Sequence, residues 1–260
     1  MSVFLPAHMR RTVLVTGGAK RIGREICLSL ANEGFSVAVQ YLTSKSEAQA
    51  LVREIESMGN KATSVQSDLS EPGCASDIIG RVVESIGPLT DLVNNASVFL
   101  HDDIGSVTEE SWDAHMSVNA RAQTMLIRSF SEQLPEGCQG SVVNILDQKV
   151  ASPNPDHLSY TASRFAMMGL TEALARGMAP RIRVNAVAPG HTLSSSEQSD
   201  SGFARAQSES PLGFGPEASD IAQSVTFLMN SRTVTGQILF ADSGERFLSR
   251  KRDVLFETEG

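Results

Sequence analysis

The chain reads as an α/β protein, a single doubly wound domain on a seven-stranded parallel sheet. Short uninterrupted apolar runs alternate with longer amphipathic ones, the pattern of parallel strands covered by helices on both faces. A glycine-bearing bend, Thr16-Gly17-Gly18-Ala19-Lys20-Arg21-Ile22-Gly23, joins the first apolar run to the first amphipathic one. Size agrees with this: 260 residues with 41% apolar and 5% aromatic side chains suit one large aliphatic core.

The elements follow in order. Thr12 to Thr16 reads as a buried strand and Lys20 to Asn32 as a helix closed by Gly34. Ser36 to Tyr41 is the second strand, Ser44 to Met58 a helix stopped by Gly59, and Ala62 to Gln66 the third strand. Pro72 to Ile86 fits a helix, since proline is tolerated in the first turn and Gly87-Pro88 ends it. The apolar run Asp91-Leu92-Val93-Asn94 is the fourth strand. Then come a long helix from Glu109 to Gln133, a strand from Ser141 to Leu146, a helix from His157 to Met178 and a strand from Ile182 to Ala188. A helix from Ala218 to Asn230 and a strand from Gln237 to Phe240 complete the sheet. Residues 1–10 read as an N-terminal arm and 244–260 as a C-terminal tail. The irregular stretch 189–216, rich in Ser and Gly, has the length of a lid over a binding site.

Composition narrows the partners. A formal charge of −8, with Lys and Arg scattered, argues against nucleic acid or an anionic membrane. The short run Arg250-Lys251-Arg252 reads as a solvated face. Cys27, Cys74 and Cys138 are far apart and lack metal-ligand or CxxC spacing, as in reduced cytoplasmic thiols, and the dispersed histidines give no metal site. No apolar run is long enough to span a bilayer, and no signal peptide is evident; a cytoplasmic location is expected.

In the glycine bend, Gly17 and Gly23 leave room for a pyrophosphate to approach the backbone, and the helix that follows offers free N–H groups and its positive end. The end of the second strand tells which dinucleotide fits. A carboxylate there would accept bonds from a ribose 2′-OH, but Val39-Gln40-Tyr41-Leu42-Thr43-Ser44-Lys45 contains none. A 2′-phosphate meets no repulsion, and Arg21, Ser44 and Lys45 offer donors, so NADPH is the expected cofactor. Asp68, past the third strand, is placed either to accept from the adenine amino group or to cap its own loop.

Taken together, the bend, Asn94-Asn95-Ala96, Asn119, Tyr160 and the run from Arg183 to Gly190 resemble the short-chain dehydrogenase/reductase family over nearly the whole chain. Three further features are similar to its pteridine reductase and dihydromonapterin reductase branch: Arg21 in the glycine bend, Phe99 after Asn95-Ala96-Ser97-Val98, and Asp147 where most members have serine. The resemblance implies a Rossmann fold and a homotetramer. It also implies that Gly17, Lys20, Arg21, Ile22, Tyr41 and Ser44 contact the cofactor. Asp68, Leu69, Asn95, Ala96, Ser97, Tyr160, Arg164, Pro189, Gly190 and Thr192 complete that set. Arg21, Ser97, Phe99, Asp147, Tyr160 and His191 would meet a small-molecule substrate, a pterin in that branch, with Phe99 stacking on it. Asn119 would hold a water in the proton path.

Hydride transfer to a C=N or C=O bond leaves negative charge on nitrogen or oxygen, so a nearby group must supply a proton. Tyr160 is the expected donor, provided that an adjacent cation lowers its pKa. Arg164 lies one turn further along the same helix, where the family has lysine. An arginine supplies charge and hydrogen bonds but does not deprotonate at ordinary pH. Asp147 would then hold Tyr160 and take protons from water. A reductase of another small carbonyl compound, and a catalytically weak dinucleotide-binding protein, remain alternatives to a pterin reductase at this stage.

Overall fold

The computed structural model describes residues 10–194 and 198–258. Most of the expected arm, with His8, lies outside the described residues, as do positions 195–197 of the expected lid and the last two positions of the tail. In chain order the elements are β1 (Thr12–Val15), α1 (Arg21–Asn32), β2 (Ser36–Tyr41), α2 (Lys45–Ser57), β3 (Ala62–Gln66), α3 (Cys74–Ile86) and β4 (Asp91–Asn94). They continue with α4 (Glu109–Met116), α5 (Gln123–Gln133), β5 (Gly140–Ile145), α6 (Leu158–Met178) and β6 (Ile182–Pro189). The last are α7 (Asp200–Ser208), α8 (Ala218–Asn230), β7 (Ile238–Ala241) and α9 (Val254–Thr258).

All seven strands are parallel, in the order β3-β2-β1-β4-β5-β6-β7. Period-two alternation sends neighbouring side chains of one strand to opposite faces. Val13 and Val15 join the cluster under α1, α2 and α8, while Leu14 joins the one under α3 and α5. Both faces are therefore apolar, which is why the strands read as continuous apolar runs. The chain leaves β1 toward β2 on one side and returns to β4 on the other. Ligands of open α/β sheets bind at such a switch point, beyond the carboxyl ends of the strands.

The helix expected from Glu109 to Gln133 has those bounds, but a π-helical segment, Ser117–Ala122, interrupts it between α4 and α5. The expected irregular stretch 189–216 is not all irregular. It contains α7, capped by Ser199, whose hydroxyl accepts from Gly202 N at 3.0 Å. Only Gly202 and Ala206 of that helix are buried, too few to give an apolar period in the sequence. The tail likewise folds back on the molecule, ending in α9. Among the described residues no helix is long and apolar enough to cross a membrane.

Candidate active site

At the carboxyl end of the sheet, around the β1–β4 junction, lies a cleft of about 760 Å³, large enough for a cofactor-sized ligand. The glycine bend forms one end. Gly17 sits at φ +59°, and a Cβ built on Gly23 would lie 2.2 Å from Gly17 O, so neither position admits a side chain without moving the backbone. The bend is held from both sides. Gly17 N donates to Gln40 Oε1 at 2.8 Å, and Asn95 Nδ2 donates to Thr16 O at 2.9 Å. Thr16 Oγ1 accepts from Asn95 N and Ala96 N at 2.9 and 3.0 Å. The first turn of α1 then points into the cleft. A pyrophosphate fits this cradle through backbone N–H groups and the helix dipole. Arg21 opens α1 at φ +54° and donates to Ser194 O at 3.1 Å, tying the bend to the loop after β6.

Gly17, Lys20, Arg21, Ile22, Asp68, Leu69, Asn95, Ala96, Ser97, Pro189, Gly190 and Thr192 all line the cleft, as do Phe99, Asp147, Tyr160, Arg164 and His191. Three expected site residues do not. The Tyr41 ring belongs to the core cluster, and Ser44 precedes α2 away from the cleft wall. Asn119 lies fully buried behind it. Its Oδ1 accepts from Val98 N at 2.8 Å, and its Nδ2 donates to Val98 O at 2.9 Å and to Ser163 Oγ at 3.1 Å. Both amide hydrogens are thus engaged within the protein, and the Asn119 side chain fastens the loop after β4 to α6. Asp68 accepts from Ser70 N and Oγ at 2.8 and 2.7 Å, which is the loop-capping geometry.

Tyr160 and Asp147 meet across the gap between α6 and the end of β5. The phenol donates to Asp147 Oδ2 at 2.8 Å, and Lys149 N donates to Asp147 Oδ1 at 2.8 Å, fixing the carboxylate. Arg164 is 3% exposed and donates to Ile145 O at 3.0 Å and to Ser97 Oγ at 2.6 Å. Its guanidinium carbon lies 4.9 Å from the centre of the Tyr160 ring. The expected lowering of the Tyr160 pKa is not found. Burial pushes it above the ordinary phenol value, Arg164 opposes that, and the Asp147 charge adds to it. Tyr160 is therefore a phenol that keeps its proton at neutral pH.

Phe99 is half-exposed at the mouth, stacked on His157 with ring centres 4.1 Å apart and edge-on to Tyr160 at 4.7 Å. His157 begins α6 at φ +54°, and its Nδ1 is 3.0 Å from Leu100 O; burial lowers its pKa. His191 Nε2 lies 2.7 Å from Gln198 Oε1, and burial lowers its pKa too.

The residues that the sequence reading missed come from the tail and the start of the β5–α6 connection. Lys149, Glu245, Asp253, Val254 and Leu255 also line the cleft. Lys149 is buried and donates to Asp253 Oδ2 at 2.7 Å and to Asp156 O at 3.1 Å. Burial raises the Asp253 pKa, but the Lys149 ammonium, the hydrogen bond from Leu255 N and the His157 charge together hold the carboxyl below its usual range. Arg252 grips Asp156 with Nε and Nη2, the latter at 2.7 Å, and its hydrogen bond holds that carboxyl down at about 2. Arg250 is paired with Glu209 and Glu257 at 3.0 and 3.1 Å. Arg250 and Arg252 thus fasten the tail beside the cleft, while Lys251 between them is exposed. No local pattern in the sequence marks these residues, because their partners are about a hundred positions away for Asp156 and Lys149. Among the described residues no group of His, Cys, Asp or Glu is arranged to hold a metal.

Comparison with known proteins agrees with this geometry. Residues 11–202 match the family model for short chain dehydrogenase. FolM alternative dihydrofolate reductase 1 from Brucella suis, solved with NADP, has a TM-score of 0.89 at 40% identity, covering 92% of this chain and 96% of that one. A short chain dehydrogenase from Burkholderia cenocepacia, also solved with NADP, has a TM-score of 0.84 at 35% identity, covering 91% and 97%. The 3-oxoacyl-[acyl-carrier-protein] reductase FabG of Staphylococcus epidermidis is 33% identical over 241 residues, covering 91% of this chain and 99% of its own length. With its cradle, its Tyr160–Asp147 pair and these relatives, the chain belongs to the short-chain dehydrogenase/reductase family of oxidoreductases.

Proposed function

We propose that this protein is an NADPH-dependent reductase of a pterin, acting on a C=N bond of a dihydropterin-like ring. The observation that carries the reading is the 2.8 Å bond from the Tyr160 phenol to Asp147, with Phe99 edge-on beside it at the cleft mouth. A carboxylate there gives the site a second proton-handling group beside the phenol, suited to a ring nitrogen. The FolM structure supports the same substrate class, whereas the FabG relatives keep another carbonyl substrate as the second reading.

NADPH supplies the hydride when bound. The bend from Gly17 to Gly23 would hold its pyrophosphate, and Arg21 together with the acid-free end of β2 suits the 2′-phosphate. Tyr160 then gives its proton to the nitrogen that becomes negative, Asp147 orients the phenol and restores the proton from solvent, and Arg164 balances the charge beneath the ring. Phe99 offers an aromatic surface to the flat substrate. The test is turnover of NADPH at 340 nm with dihydropterins against a panel of ketones. Oxidation with ketones alone would move the reading to a carbonyl reductase.

The assembly we propose is a homotetramer in the cytoplasm. Met125 on α5 and Phe165 on α6 expose apolar surface on the helices that would pair across a two-fold axis. Sedimentation velocity at micromolar concentration tests it, and a monomer overturns it.

A further inference from the structure

Each acid on the cleft wall except one is engaged by a side chain. Asp68 accepts from the Ser70 hydroxyl, Asp147 from the Tyr160 phenol and Asp253 from the Lys149 ammonium. Glu245 is 3% exposed, and among the described residues its carboxylate accepts one hydrogen bond, from His191 N to Oε2 at 2.7 Å. The charged groups that act on it are already committed: Arg250 is paired with Glu209 and Glu257, Asp147 accepts from Tyr160, and Asp253 is paired with Lys149. A carboxylate has about four acceptor sites, so this one retains most of its capacity in a place where unmet polar capacity is costly. Gly190 packs closely on this corner: a Cβ there would lie 2.8 Å from both Asp242 Cα and Glu245 Oε2.

We propose that Glu245 is a substrate-reading residue, its carboxylate accepting the paired N–H groups of an amidine edge, the N–C–NH2 unit of a 2-aminopyrimidinone ring. The inference rests on the cleft being a pterin reductase site. A planar heterocycle lying by Phe99 and Tyr160 presents its donors in its own plane, and a carboxylate takes two parallel N–H bonds in one plane. Burial, with the Asp147 charge adding and His191 N and Arg250 opposing, pushes the Glu245 pKa up to about 7. It is therefore an acceptor at mildly alkaline pH.

The test is calorimetric titration of the NADP-loaded protein at about pH 8 with pterin and with lumazine, which carries oxygen where pterin has its 2-amino group. The wild type is expected to prefer pterin by about tenfold or more, and Glu245→Gln to cut the preference below about threefold with NADPH affinity unchanged. Glu245→Asp, which keeps the charge one carbon shorter, should bind pterin more weakly yet retain the preference. Equal binding of the two pteridines by the wild type, or an unchanged preference in Glu245→Gln, overturns the inference. So does a loss of NADPH affinity in place of pterin affinity, which would assign the carboxylate to the nicotinamide amide. Pterin that binds in a Glu245-dependent way without being reduced leaves the inference standing and removes the reductase reading. Dihydropterin reduction indifferent to Glu245 does the reverse, and a wild type that binds neither pteridine overturns both.

Discussion

Arg164 donates to Ser97 Oγ at 2.6 Å and to Ile145 O at 3.0 Å, so one guanidinium joins the loop after β4 to the end of β5 beneath Tyr160. A lysine keeps the charge but not the fork. Arg164→Lys is expected to hold kcat within about threefold and to lower the melting temperature by several degrees. Arg164→Met, which strips both acceptors of their donor, should cost about tenfold or more in kcat, or 1.4 kcal/mol of barrier. Steady-state kinetics and thermal melts check the pair. A clear rise in rate for Arg164→Lys would instead mean that the arginine blocks a proton relay.

Asp147 has two separable effects on Tyr160, orientation and charge. Asp147→Ser should reduce kcat by more than about tenfold, and Tyr160→Phe should abolish turnover. Because the Asp147 charge raises the phenol pKa, Asp147→Asn should move the alkaline limb of the kcat profile to lower pH. Activity that survives Tyr160→Phe would remove the proton-donor assignment.

The acid-free end of β2 predicts tighter binding of NADPH than of NADH, measured by fluorescence titration of each. Thr43 adds no positive charge at that end, so a modest preference is expected. Leu42→Asp, at the cleft wall, should bring a carboxylate to the ribose and reverse the order. Equal affinities in the wild type would sink the argument.

Glu245 makes stability fall as pH rises. Its pKa moves from an ordinary 4.5 to about 7 on folding, so between those values the folded state keeps a proton that the unfolded chain has lost. The stabilisation is complete below about 4.5 and is lost as pH rises through 7, with a span on the order of 3 kcal/mol. Urea denaturation should show this decline in the wild type and not in Glu245→Gln. Parallel pH curves for the two proteins would refute it.

Strand and helix positions are legible because parallel strands are apolar throughout and their helices keep one apolar face; Ser36–Tyr41, Ala62–Gln66, Asp91–Asn94 and Ala218–Asn230 are found where they are read, the other expected elements begin or end within a few residues, and α7 and α9 are additional. The glycine bend was legible for a different reason, since Gly23 leaves no room for a side chain. What escaped depends on distant pairs. Glu245 reaches His191 because β7 lies beside β6, with Ala241 opposite Pro189, and no local pattern encodes that adjacency. Tyr41, given to the cofactor by the family resemblance, has its ring in the core cluster. The sequence places a cation one turn from Tyr160 but does not show the burial that outweighs it.

The clamp of Lys149 on Asp253 also has a temporal side. By Thr192 every residue of the phosphate cradle and of the Tyr160–Asp147 pair has already been synthesised, whereas the wall formed by Asp253, Val254 and Leu255 comes some sixty positions later. The helix α8, which packs with α1 in one core cluster, is also made after Thr192, so the support of the cradle and the wall of the substrate end both wait for the last quarter of the chain.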